Sequence, residues 1–143
     1  MLHSIVKFLL VVTVSFCVVE VSAQVGRGPA SEAVVSQIAA NLNSSLRNAD
    51  LESLSKYLGE SVDISLPSKQ GHYSKAQAKY VLKEFFTNNP PKEVEVEYSD
   101  NISENVIATF TYTSTRGKYG TKVTLKATSD GRKISEIRFE SKN

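Results

Sequence analysis

The chain has 143 residues, with 17 Lys and Arg against 15 Asp and Glu, for a formal net charge of +2. That balance excludes the strongly basic footprint of a nucleic-acid binder, and a single cysteine excludes a disulfide framework. The length suits one domain built on one core.

Lys7 is the basic residue of a short leader, followed by an apolar stretch from Phe8 to Val19 and the tripeptide Val21-Ser22-Ala23. The last and third-last positions of that tripeptide suit a signal peptidase, which places a cut between Ala23 and Gln24. A retained anchor needs about 20 apolar residues, and this run stops at Glu20. Lipidation at Cys17 is disfavoured by the bulky Phe16 before it. Residues 1–23 are therefore expected to be a signal peptide, 24–30 a flexible tether and 31–143 one domain. Cleavage removes the sole cysteine, and Lys7 leaves with Glu20, so the net charge is unchanged.

Ser31 is placed as a helix N-cap, with Glu32 favourable in the first turn. Val34, Val35, Ile38, Ala39, Leu42 and Leu46 recur at three- and four-residue spacing, predicting an amphipathic helix to about Arg47. Asp50 caps a second helix carrying Leu51, Leu54, Tyr57 and Leu58, with Gly59 as its stop. Val62, Ile64 and Leu66 alternate with Ser61, Asp63 and Ser65, which reads as a strand with one wet face. Pro67 to Gly71 is expected to turn the chain, with His72-Tyr73 as a short return strand. Ser74 and Gln77 form a capping box for a third helix. Its apolar face is Ala78, Val81, Leu82 and Phe85, with Phe86 beside it, and Asn88-Asn89-Pro90-Pro91 ends it. Four strands follow in an antiparallel meander, centred on Val94 to Tyr98, Val106 to Thr113, Lys122 to Thr128 and Ile134 to Phe139. Ile134 is out of phase with Ile137 and Phe139, which predicts a bulge near Ser135 or Glu136.

The order ααββαββββ, three helices on a curved antiparallel sheet, is similar to the α+β cone of nuclear transport factor 2-like (cystatin-like) domains. The segment YSKAQAKYVLKEFFTNNPP, Tyr73 to Pro91, resembles the signature of a family of small exported bacterial proteins, domain of unknown function 4783. The resemblance runs from about Ser31 to Glu140. It implies the fold and brings no assigned activity.

Enzymes of that superfamily work inside the cone, with an aspartate or an Asp/His pair on inward positions and tyrosines as proton donors. If Val62, Ile64 and Leu66 face inward, a one-residue step sends Asp63 outward. The same alternation sends Glu93, Glu95, Glu97, Lys122 and Lys126 outward. No catalytic set is therefore assigned, and no cofactor is called for. His72, the one histidine after the leader, is either a base at the cone mouth near Tyr57 or Tyr73, or a turn-proximal histidine with no orienting partner. Converging metal ligands are lacking. Tyr57, His72, Tyr98, Phe110 and Tyr112 are the candidate lining of a pocket for a small apolar ligand, with core packing as the other fate of the aromatics. Lys75, Lys79 and Lys83 read as a solvated helix stripe.

The expected role is a non-enzymatic small-ligand-binding or protein-interaction module of the cell envelope, periplasmic or extracellular in a bacterium. The alternative is an enzyme using His72 with tyrosines in acid/base work. No nucleic acid and no stable membrane anchor after cleavage are expected. The polar outer sheet face suits a monomer or a weak polar dimer.

Overall fold

The computed structural model describes residues 30–143. The signal peptide at 1–23, the cleavage site between Ala23 and Gln24, and the tether up to residue 29 lie outside the described residues. The elements are α1 (Glu32–Arg47), α2 (Leu51–Ser55), β1 (Leu58–Leu66), β2 (Lys69–Ser74), α3 (Lys75–Asn88), β3 (Pro91–Ile102), β4 (Asn105–Ser114), β5 (Lys118–Thr128) and β6 (Gly131–Lys142). They give the α+β order read from the sequence.

Local chemistry starts each helix. The Ser31 hydroxyl accepts from the Val34 amide, and Asp50 accepts from the Ser53 amide. Ser74 and Gln77 close a complete capping box at α3, so orphan N-terminal amides are satisfied on the spot. The second helix is shorter than its apolar spacing suggests. Tyr57 and Leu58 leave it because the Ile134 amide donates to the Tyr57 carbonyl at 2.6 Å and Leu58 pairs with Ile134 in the sheet. Gly59 consequently lies in β1 rather than ending a helix. The turn after β1 is also tighter than expected. Pro67-Ser68 alone makes it, and β2 begins at Lys69.

The six strands form one sheet in the order β2-β1-β6-β5-β4-β3. The expected meander runs from β3 to β6, and the β1–β2 hairpin joins it through a parallel β1–β6 pairing. All three helices bury their apolar faces on one side of this sheet, in a single cluster that includes Leu42, Leu46, Leu54, Leu82, Phe110 and Ile137. Each such side chain contributes about 1.5–3 kcal/mol on full burial. Among the described residues, the other side of the sheet carries no helix.

The register shifts at Leu58/Asp63, Pro91/Glu93, Val96/Tyr98 and Thr124/Leu125, and the last two set how the candidate site's side chains face. Thr124 pairs with Glu136 and Leu125 with Ile134, so Ser135 is the extra residue expected from the phase of Ile134. A second bulge was not expected. Val96 pairs with Phe110 and Tyr98 with Thr109, leaving Glu97 unpaired between them. That extra residue turns Tyr98 away from the face shared by Val94 and Val96.

Candidate functional site

The interior of the cone is occupied by aromatic rings. α3 supplies Phe85 and Phe86, which meet Tyr112 of β4, Tyr119 of β5 and Phe139 of β6. Phe85 and Phe139 lie 4.3 Å apart between centroids, and Tyr112 meets Phe139 edge-on at 5.5 Å. Phe110 and Tyr112 are 0 % exposed and Phe139 1 %. Polar tips are tied off as well. The Tyr112 hydroxyl donates to the Asn89 carbonyl at 2.6 Å, and the Tyr119 hydroxyl donates to Asn89 Oδ1 at 2.8 Å. Burial, with the neighbouring Tyr119, pushes the Tyr112 hydroxyl well above the ordinary tyrosine range. It is a fixed neutral donor, not a proton-transfer group.

Of the expected lining residues, only Phe110 and Tyr112 share this interior. Tyr57 sits at the α2–β1 junction, where its hydroxyl accepts from Asn41 at 2.8 Å. Tyr98 is a correction: the bulge at Glu97 puts it on the helix-free face, 47 % exposed, with its hydroxyl donating to Asp100 at 2.7 Å. That bond holds the Asp100 carboxyl below its usual range and raises the Tyr98 hydroxyl. These residues do not form one pocket.

His72 also lies on the helix-free face. It pairs in register with Asp63 across the β1–β2 hairpin, and its Nδ1 stands 2.7 Å from Asp63 Oδ1. The histidine therefore has the carboxylate partner that the sequence did not disclose. Both side chains are about two-thirds exposed, at 67 % and 66 %. Tyr73 faces the other way, partly buried against the core. Its ring lies over Gly71, where an added Cβ would come within 2.9 Å of the ring. An Asp–His pair this exposed lacks the enclosure that tunes a catalytic group, and its neighbour Tyr73 points away from it.

The helix-free face carries charge in ordered rows. Arg138 of β6, Lys122 of β5, Thr109 of β4 and Tyr98 of β3 are cross-strand neighbours. Two residues along, Glu140, Gly120 and Thr111 form the next row. The Lys142 side chain covers the glycine, its Cε 3.1 Å from where a Cβ on Gly120 would stand, and beside it lies an open hollow of about 380 Å³, walled by Glu97, Lys122, Arg138 and Glu140. Lys142 crosses its rim, donating to Glu97 at 2.6 Å and to Thr111 at 3.1 Å. The Lys142 hydrogen bond, followed by one from the Thr111 hydroxyl, holds the Glu97 carboxyl below its usual range. The sequence had placed Glu97 and Lys122 outward without grouping them. The available signal was Gly120, an isolated glycine in an otherwise alternating strand.

Smaller hollows open elsewhere, among them one of about 220 Å³ on α3 beside the exposed Tyr80. One of about 330 Å³ sits at the end of the cone between Leu66, Val81, Phe85, Lys69 and Arg116. Another of about 260 Å³ lies between α1 and α2, beside Asn41, Asp50 and Tyr57. Among the described residues no three His, Cys, Asp or Glu side chains converge as metal ligands, and no helix is long and apolar enough to cross a membrane.

No curated protein matches the chain. A DUF4783 family protein from Bacteroides ovatus is similar in structure, with TM-score 0.69 and 24% identity over 73% of this chain and 94% of its own. One from Bacteroides uniformis gives TM-score 0.70 and 19% identity over 74% and 98%. An NTF2-like protein of unknown function from Shewanella baltica gives TM-score 0.57 and 10% identity over 78% and 93%. These likenesses establish a nuclear transport factor 2-like fold. The family model described as Domain of unknown function (DUF4783) matches residues 39–140, and the chain belongs to that family.

Proposed function

We propose that the protein is an exported, non-enzymatic binding module that meets its ligand on the helix-free face of the sheet rather than inside the cone. The observation that carries this reading is the packing of Phe85, Phe86, Tyr112, Tyr119 and Phe139, whose rings lie against one another inside the cone. The hollow walled by Glu97, Lys122, Arg138 and Glu140, by contrast, is open and lined by charged groups. The leader sequence supports export to the periplasm or beyond.

Hydrogen exchange of the mature protein, with and without concentrated envelope extract, tests the reading. Slowed exchange confined to the middle of β5 and β6 is expected. Slowing centred on Phe85, Tyr112 and Tyr119 instead would overturn it.

The enzyme reading draws on the 2.7 Å contact between His72 and Asp63. It requires that Asp63→Asn abolish a measurable turnover of a compound from that extract. An unchanged extract after prolonged incubation with the unmodified protein removes this second reading.

A further inference from the structure

Lys142 uses Gly120 as a seat. The lysine is the cross-strand partner of Lys118, yet its side chain leans over the neighbouring row of Gly120 and Thr111. Its Cε lies 3.1 Å and its Cγ 3.9 Å from where a Cβ on Gly120 would stand, so a side chain at 120 would press on this stem. A glycine inside a strand marks a place where another group comes close to the backbone. Here that group is a lysine stem. Beyond it the ammonium donates to the Glu97 carboxylate at 2.6 Å and to the Thr111 hydroxyl at 3.1 Å. The Thr111 hydroxyl in turn donates to Glu97, which the β3 bulge re-aims toward it. Bare floor, hydroxyl and carboxylate together make a slot for one flexible stem that ends in an ammonium.

Lys142 is held in this slot by weak means. It is the last residue but one, and chain ends are the least firmly held parts of a domain. Directly across from it stands Lys118, a like-charge pairing that disfavours this end of the ladder. The Lys142 and Glu97 side chains are 40 % and 45 % exposed, and so exposed an ion pair contributes little. The slot itself does not depend on Lys142, because Glu97, Thr111 and Gly120 belong to β3, β4 and β5. Charge also favours a replacement. Lys122, Arg138 and Lys142 stand against Glu97, Glu136 and Glu140. With Lys142 swung out, two cations face three carboxylates, and the vacated slot lacks one positive charge.

We infer that this slot receives a lysine side chain from a protein partner, and that Lys142 occupies it in the partner's absence. The partner's lysine lays its stem on Gly120 and its ammonium on Glu97 and Thr111. Lys142 competes from the same chain at an effective concentration on the order of millimolar, so a lone amine is a poor guest. A protein adds contacts on the surrounding face, where Tyr98 and Lys122 lie one row away. This inference rests on the reading of the helix-free face as the binding surface.

Titration of ¹⁵N-labelled Lys142→Ala and of the unaltered mature protein with Nα-acetyl-lysine methylamide tests it, beside the same probe acetylated on Nε. In Lys142→Ala, amide shifts are expected at Glu97, Thr111 and Gly120. Binding should be at least tenfold weaker in the unaltered protein, and at least tenfold weaker for the Nε-acetylated probe. Adding Glu97→Gln to Lys142→Ala should abolish the shifts while the spectrum stays folded. The Lys142 hydrogen bond leads the causes that hold the Glu97 carboxyl below its usual range. Its titration, followed by ¹³C resonance, should therefore rise in Lys142→Ala and fall back when the lysine probe is added. Absent shifts, equal affinity for both proteins or both probes, or an unmoved Glu97 titration overturn the inference. Shifts in the unaltered protein that grow with its own concentration and vanish in Lys142→Ala would replace the partner with a second copy and overturn it too. Probe failure combined with exchange slowing on β5 and β6 from extract overturns the lysine slot alone. Failure of both overturns the face reading as well.

Discussion

The Tyr112 hydroxyl donates to the Asn89 carbonyl at 2.6 Å from a ring that is fully buried. This bond fastens the end of α3 to β4 just before Pro90-Pro91 redirects the chain. Tyr112→Phe keeps the ring and deletes the donor, so it should cost about 1–2 kcal/mol. Urea denaturation should show a lower midpoint with an unchanged slope. An unaltered midpoint would mean that the hydroxyl carries no net stability.

The same residue sets an alkaline limit. Its folded-state hydroxyl titrates above the ordinary value of 10.0 because burial penalises the phenolate. Below pH 10 both states hold the proton and the stabilisation is complete. Above pH 10 the unfolded chain loses the proton first, so stability falls as pH rises, by about 1.4 kcal/mol per pH unit for one such group. Denaturation midpoints measured from pH 8 to 11.5 should therefore decline above 10. In Tyr112→Phe the decline should be shallower, and an identical slope in the two proteins would assign the alkaline loss elsewhere.

Two turns make opposite demands on the same kind of substitution. Gly131 closes the β5–β6 turn at φ 101°, with nothing within 4 Å of an added Cβ. Gly131→Ala should thus destabilise by about 1–2 kcal/mol through backbone strain alone. Ser103 occupies the β3–β4 turn at φ 58°. Ser103→Gly relieves that conformation and should be neutral or stabilising by up to about 1 kcal/mol. Thermal melts of the pair check both signs, and a stabilising Gly131→Ala would contradict the argument.

Much of this fold was legible because its signals are local. Ser31, Asp50 and Ser74 cap helices by contacts three residues away. Ile134 betrays the bulge at Ser135 by breaking its own alternation. The bulge at Glu97 left no such trace, because Val94, Val96 and Tyr98 keep a perfect period of two while the backbone does not. Leu58 and Gly59 were assigned to a helix and its stop because their partner, Ile134, lies far along the chain. The contact between Asp63 and His72 was likewise hidden, since it depends on a register fixed by the tight Pro67-Ser68 turn. The grouping of Lys122, Arg138, Glu140 and Glu97 around Gly120 needs four strands in register, and no single segment contains that information.

The central claim is that aromatic rings, and not a ligand cavity, fill the cone. Diffraction from crystals of the protein held under xenon pressure measures this directly, because xenon enters dry apolar cavities of even modest size. The account predicts no xenon between Phe85, Tyr112, Tyr119 and Phe139. Xenon bound among those rings would contradict it and return the binding site to the interior.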